Sequence, residues 1–171
     1  MNEEEKTRKI HDFIAEKARY NIEALKSGRN KDNFGYSIYE PESIIFGEGG
    51  ACDAYAKLFE LMARKAGLNV KYVTGITLST KGQSSHAWNM VKIDGTWYHI
   101  DTTWDDPIGR EDILHLFYLR GDEFMKDKRI WYKDGNPPAY SDYNTDRTAI
   151  IDGIKTPEEN VGFKDGMIIF Y

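Results

Sequence analysis

The stretch that decides the fold reads His86-Ala-Trp-Asn-Met-Val-Lys-Ile93, Asp94-Gly95, Thr96-Trp-Tyr-His-Ile-Asp101. Two extended segments flank an Asp-Gly pair, the residue choice of a two-residue type I′ hairpin turn. With Asp94 and Gly95 at the turn, Ile93 faces Thr96, and His86 falls opposite Thr103 if the ladder runs that far. Asp101 then sits diagonally across from His86 on the same face. Diagonal cross-strand neighbours lie ~7–8 Å apart at the backbone, within reach of an imidazole and a carboxylate. Trp88, Met90, Trp97 and His99 share that face, and His99 is expected to pack or to support a neighbour rather than react.

Outward from the hairpin, the single cysteine, Cys52, follows Gly47-Glu-Gly-Gly50 and opens a segment with helical periodicity. Tyr55, Leu58, Phe59 and Met62 give a helix over about 51–66, stopped at Gly67. The first-turn N–H groups of a helix are unpaired and its dipole end is positive, so this position favours thiolate over thiol. The preceding glycines allow a ligand to approach the backbone and leave N–H groups for an oxyanion. A helix-terminal Cys with a His and an Asp on one hairpin face holds the parts of a thiol acyl-transfer site. Cys52 is the candidate nucleophile, His86 the base and later acid, and Asp101 the group that orients the imidazole. Each residue alone has a plainer reading: a small buried Cys, a strand-end His, a turn Asp. Their joint placement is what points to catalysis.

Elsewhere, Ile10, Phe13, Ile14, Ala18, Ile22 and Leu25 predict one amphipathic helix over 4–26, ended by Gly28. Residues 29–50 read as a long loop with at most short structure, a length that is often functional. A strand is expected over 69–78, a polar loop over 79–85, a further strand over 113–119 and a short helical turn over 121–127. Asn136-Pro137-Pro138 breaks any regular element, and the tail carries one more strand-like run around Lys164-Asp165-Gly166.

The chain has 171 residues, 40% of them hydrophobic and 30% charged, with a net charge of −5. That is the make-up of one globular domain over 1–171, with a core over about 44–122. One cysteine excludes an intrachain disulfide. The longest apolar run is about five residues, against the ~20 that span a bilayer. The acidic balance argues against nucleic acid and anionic membranes as partners. The N-terminus lacks a secretory signal pattern, so a cytoplasmic protein and a domain excised from an exported chain both remain open. No cofactor or metal is expected. His86, His99 and Asp101 lack a fourth ligand at recognisable spacing, and Asp105-Asp106 with Glu111-Asp112 do not form a calcium loop.

Gly50-Ala-Cys52-Asp-Ala-Tyr55-Ala56, the His86–Asp101 hairpin and Thr103-Trp-Asp-Asp-Pro107 together resemble the bacterial transglutaminase-like superfamily. The nearest branch is the transglutaminase/protease-like proteins related to a yeast cytokinesis factor. The resemblance implies an α+β, papain-like core in which the Cys-bearing helix packs on an antiparallel sheet. It places the family's catalytic residues on Cys52, His86 and Asp101. The chain departs from the family pattern at Ala54, where Gly is usual, and at Lys128-Arg129-Ile130-Trp131, where related chains carry a His before an aromatic. Asp53 adds a charge that opposes thiolate if it faces the sulfur. The N–H of Cys52 is one expected oxyanion donor, with Tyr36 or Tyr39 as a candidate second.

The expected activity is acyl transfer from peptide or isopeptide amides through a thioester, to water or to an amine, with a peptide or protein substrate. The alternative is a non-catalytic module that binds peptide or glycan through Trp88, Trp97, Trp104 and the tyrosines. Asp105 and Asp106 are expected at the mouth of the site, where they would attract a cation. Oligomeric state is open.

Overall fold

A computed structural model describes residues 1–164 and 167–171. Asp165 and Gly166, inside the strand-like run expected near the C-terminus, lie outside the described residues. Helix α1 (Glu3–Lys17) begins at a capping box, with Asn2 Oδ1 accepting the Glu5 N–H and Glu5 Oε2 accepting the Asn2 N–H, both at 2.8 Å. It stops at Ala18, which is extended. The predicted single helix over 4–26 is therefore two: α2 (Ile22–Lys26) restarts with Asn21 as its cap. The break has a long-range cause. Tyr20 makes a parallel bridge to Gly50, with the Gly50 N–H donating to Arg19 O and the Asn21 N–H donating to Gly50 O. A β-bridge with the residue two before Cys52 wins over helical continuity.

The 29–50 segment is an ordered loop holding one short helix, α3 (Glu42–Ile45). Asp32 organises it: Oδ1 accepts the N–H groups of Phe34 and Tyr36, and Oδ2 accepts that of Glu48. Helix α4 (Cys52–Lys65) follows and buries Tyr55, Leu58 and Phe59.

Strands β1 (Val70–Ser79), β2 (Gly82–Ile93) and β3 (Thr96–Ile100) form an antiparallel sheet in the order β3-β2-β1-β4, where β4 is Arg129–Trp131. The β2–β3 turn is of the expected kind, since Asp94 (φ 49°) and Gly95 (φ 84°) both have positive φ and Ile93 pairs with Thr96. The ladder stops at Asn89–Ile100, so His86 and Thr103 are not paired. The polar loop expected over 79–85 is a tight turn, and β2 starts at Gly82.

Residues 113–119 are not a strand. They run as buried irregular chain, with Leu114, Phe117, Tyr118 and Leu119 fully buried. Their backbone is satisfied locally: the Leu114 N–H donates to Asp105 O, and Phe117 O accepts the Asp101 N–H. An apolar run this dense reads as a strand by composition, yet only its ends bridge, Ile113 to Ile150 and Arg120 to His99. Helix α5 (Asp122–Met125) falls in the expected helical turn. Two hairpins close the chain, β5 (Ala149–Ile151) with β6 (Ile154–Thr156), and β7 (Val161–Lys164) with β8 (Met167–Phe170).

The sheet separates two cores. One face packs Val91, Ile93 and Ile100 against α1 and α4; the other packs Trp88 and Met90 against Leu114, Phe117 and Trp131. This is a mixed α+β fold with the cysteine at a helix start.

Gly50 is the tight point where α4 begins. A Cβ there would lie 2.5 Å from Ala54 Cβ and 2.7 Å from Ser43 Oγ. Gly50→Ala should lower the unfolding free energy by about 1–3 kcal/mol, the usual cost of overpacking, in urea denaturation. An unchanged midpoint and slope would mean that the contact relaxes freely.

Candidate active site

His86 and Asp101 are joined. His86 Nε2 is 2.7 Å from Asp101 Oδ2, and the carboxylate is fully buried. The diagonal geometry read from the hairpin is realised with Asp101 just past the end of β3. The bond engages Nε2 and leaves Nδ1 as the nitrogen available for proton exchange.

The same carboxylate oxygen has a second partner that the sequence did not suggest. Arg129 reaches it with Nη2 at 2.9 Å and Nε at 3.3 Å, and both side chains are fully buried. The guanidinium stacks over Trp104 (4.6 Å) and Phe117 (5.0 Å). Arg129 thus occupies the Lys128–Trp131 segment noted as a departure from the family pattern. Burial pushes the Asp101 carboxyl up, but His86 and Arg129 outweigh it and hold the group below the usual carboxylate range.

Beneath His86, Trp88 stacks on the imidazole at 5.9 Å and 19°. Its indole N–H donates to His99 Nδ1 (3.0 Å), and His99 Nε2 meets Asp122 Oδ1 (2.8 Å). His99 therefore accepts at Nδ1 and donates from Nε2, so it is a neutral brace for the Trp88 ring. Burial pushes its pKa down in agreement.

Cys52 opens α4 and packs with Ala56, Ala87 and Tyr72. Backbone N–H groups of Ala87 and Asp53 lie at the sulfur and favour thiolate, as a helix start should. They do not prevail. Burial pushes the thiol up to about 12, with the Asp53 and Asp101 charges acting in the same direction. Asp53 does face the sulfur: Sγ lies 3.7 Å from Asp53 Oδ2, while Oδ1 accepts the Tyr72 hydroxyl at 2.6 Å. Burial and the Asp53 charge thus oppose the thiolate that the helix start favours. Among the described residues Sγ is hydrogen-bonded to Asp53 and not to His86.

A cleft of about 450 Å³ opens beside His86, lined among others by Tyr20, Ser85, Trp104, Asp106 and Phe170. Tyr20 arrives through the bridge to Gly50 that breaks the first helix. Asp106 faces the cleft, its Oδ2 accepting the Tyr55 hydroxyl at 2.5 Å. Burial pushes its carboxyl up to about 7 despite Tyr55, Arg19 and His11. Asp105 is not at the mouth. It is fully buried, taking the Phe117 N–H (2.9 Å) and facing His11 Nε2 (3.0 Å). Of the three tryptophans proposed as a binding wall, Trp104 lines the cleft and Trp88 is buried beneath His86. Among the described residues no helix is long and apolar enough to cross a membrane.

The transglutaminase-like superfamily model matches residues 1–102, which takes in Cys52, His86 and Asp101. The chain belongs to the transglutaminase-like superfamily, a fold that supports cysteine-based acyl transfer in general. It is 33% identical over 108 residues to kyphoscoliosis peptidase of Mus musculus and to that of Homo sapiens, across 58% of its own length. It spans 15% of the length of either relative. A crystal structure of a TGase superposes with a TM-score of 0.49 at 18% identity, over 60% of this chain and 27% of that one.

Removing one partner of a buried ion pair costs about 3–5 kcal/mol, so Arg129→Met should destabilise the fold by that order in urea. The depressed Asp101 pKa stabilises the native state above the ordinary carboxylate range, and this is lost as pH falls through the folded value. The variant's acid-unfolding limb should accordingly begin at higher pH. If Arg129→Met and wild type unfold at the same acid pH, the guanidinium does not hold the Asp101 charge.

Proposed function

We propose that this chain transfers acyl groups from peptide or isopeptide amides through a thioester on Cys52. The reading rests above all on the buried 2.7 Å contact of His86 with Asp101 at the cleft, beside the strand residue whose N–H meets the sulfur.

In this mechanism His86 Nδ1 takes the Cys52 proton as sulfur attacks the amide carbon. Asp101, kept ionised by Arg129, stabilises the imidazolium and fixes the ring. Electron density moves onto the carbonyl oxygen, where backbone N–H groups at the start of α4 are the donors at hand. The tetrahedral adduct collapses with expulsion of the amine, protonated by His86, and leaves the thioester. A second nucleophile, deprotonated by His86, then releases the acyl group and restores the thiol. Water at ~55 M is the default acceptor in a cleft that is open to solvent, so amide cleavage is the favoured outcome over amine transfer.

Because burial holds the thiol protonated, reactivity must come from His86 rather than from the helix terminus. In His86→Ala, iodoacetamide alkylation of Cys52 at pH 7 should be roughly three orders of magnitude slower than that of free cysteine. A thiol pKa of about 12 in place of ~8.5 leaves that much less thiolate. Wild type should react far faster than the variant. Equal rates in the two would remove His86 as the base.

The second test identifies the acceptor and the role of Asp106. A library of Gln-containing peptides, incubated with and without a primary amine and read by mass spectrometry, should show cleavage or deamidation. Amine-dependent mass gain alone would assign a transferase, and no change in either arm would favour the non-catalytic binding module. For substrates with a cationic side chain, KM should fall as pH rises through about 7, where Asp106 ionises. Asp106→Asn should lose that step, and an identical KM profile in the variant would take Asp106 out of substrate binding.

A further inference from the structure

Away from the cleft, His11, Asp12 and His115 bring three ligand-type atoms within 4.8 Å of one another. Asp12 Oδ1 lies 2.8 Å from His11 Nδ1 and 2.6 Å from His115 Nε2. Both rings are buried, and both are engaged on their far side as well. His11 Nε2 is 3.0 Å from Asp105 Oδ2, and His115 Nδ1 contacts the Thr148 carbonyl.

The proton count of this cluster does not close with neutral rings. Four ring nitrogens face four acceptor contacts, and each neutral imidazole carries only one N–H. Two more hydrogens are needed, carried by the rings, whose centroids lie 5.0 Å apart, or by the Asp12 and Asp105 carboxyls; one divalent cation between the rings does the same work without them.

A cation taken up by His11 Nδ1, Asp12 Oδ1 and His115 Nε2 would replace the two Asp12 hydrogen-bond contacts and leave each ring one outer N–H to place. The outer N–H of His11 then donates to the Asp105 carboxylate, and that of His115 to the Thr148 carbonyl. This is the usual support for histidines that ligate a metal, with the second nitrogen fixed by a carboxylate or a backbone oxygen. A cavity of about 330 Å³ reaches Asp12 and His115 and has room for water as a remaining ligand. Arg8 and Lys155 also line it and oppose a weakly held cation, with Glu4 and Asp146 beside them as counter-charges. Two imidazoles and one carboxylate favour zinc over magnesium or calcium, which prefer all-oxygen shells.

We propose that His11 Nδ1, Asp12 Oδ1 and His115 Nε2 form a zinc site that staples α1 to the 113–120 segment and, through Asp105, to the loop carrying Asp101. His115 lies 103 positions from Asp12, far outside any local motif, so ligand spacing does not mark this cluster in the sequence. Occupancy braces the loop that presents Trp104 and Asp106 to the cleft, since Asp105 stands between them and holds both His11 and the Phe117 N–H.

The test uses the full chain as Cys52→Ala, which removes the thiol as a competing ligand. After chelator treatment, calorimetric titration with zinc sulfate should give one equivalent bound and a rise in Tm, with no such response to magnesium. Asp105→Asn should weaken binding about 10–100-fold, the usual effect of losing the group that supports a ligating histidine. His115→Gln should abolish the stoichiometric site. Where a variant is poorly folded by circular dichroism, ring ¹⁵N shifts of Cys52→Ala decide: zinc should move His11 and His115 and leave His99 in place. Absence of zinc uptake, uptake unchanged in folded His115→Gln, or rings unmoved by one equivalent would each overturn the site in favour of a metal-free, hydrogen-bonded cluster.

Discussion

One buried carboxylate oxygen, Asp101 Oδ2, holds the centre of this molecule together. It accepts from His86 on β2 and from Arg129 on β4, the two strands that flank β1. An ionised carboxylate in a dry interior is expensive, and it persists only if its charge is matched and its lone pairs are filled. The guanidinium supplies the match, and in turn needs the faces of Trp104 and Phe117 to be tolerated inside the core. The 113–119 segment therefore passes through the interior as irregular chain, bringing Phe117 to Arg129 and its carbonyl to the Asp101 N–H. Structure around the dyad serves the dyad.

This constraint also explains what could be read from the sequence. The hairpin was legible because its signals are local: a turn pair requiring two positive φ values, and an alternation that fixes which side chains share a face. The same was true of the Cys52 helix, with its glycine approach and Gly67 stop. Arg129 was present only as an anomaly in a basic and aromatic run. Nothing within several residues of it tells a solvated surface arginine from one that is fully buried against a carboxylate 28 positions away. The partner is what decides, and the partner is remote.

The first helix fails for the same kind of reason. Ala18, Ile22 and Leu25 continue the periodicity of Ile10 and Ile14, and no local breaker stands between them. The competing bond is Tyr20 to Gly50, which helical periodicity does not register. Its consequence reaches the site, because the break turns Tyr20 into the cleft. The C-terminal hairpin gives a second case. It falls where family resemblance is poorest, yet Ile168 and Phe170 line the cleft with His86 and Trp104, and Arg110 lies over the Phe170 ring. The cleft wall is thus built partly from segments whose own sequence announces little.

Three carboxylates within six residues, Asp101, Asp105 and Asp106, show most directly how environment rather than identity sets chemistry. Asp101 is fully buried beside two cationic or cation-forming partners, and is held ionised. Asp105 is equally buried but spends its oxygens on a backbone N–H and on His11, tying the loop to α1. Asp106 has a phenol for its nearest partner, which donates a hydrogen bond but carries no charge to offset burial, so its carboxyl titrates near neutrality at the cleft wall. Divergent ionisation of neighbouring acids is how a fold separates the tasks of orienting a base and binding a substrate. The three differ within one loop because each carboxylate meets different partners: His86 and Arg129 for Asp101, His11 and the Phe117 N–H for Asp105, Tyr55 for Asp106.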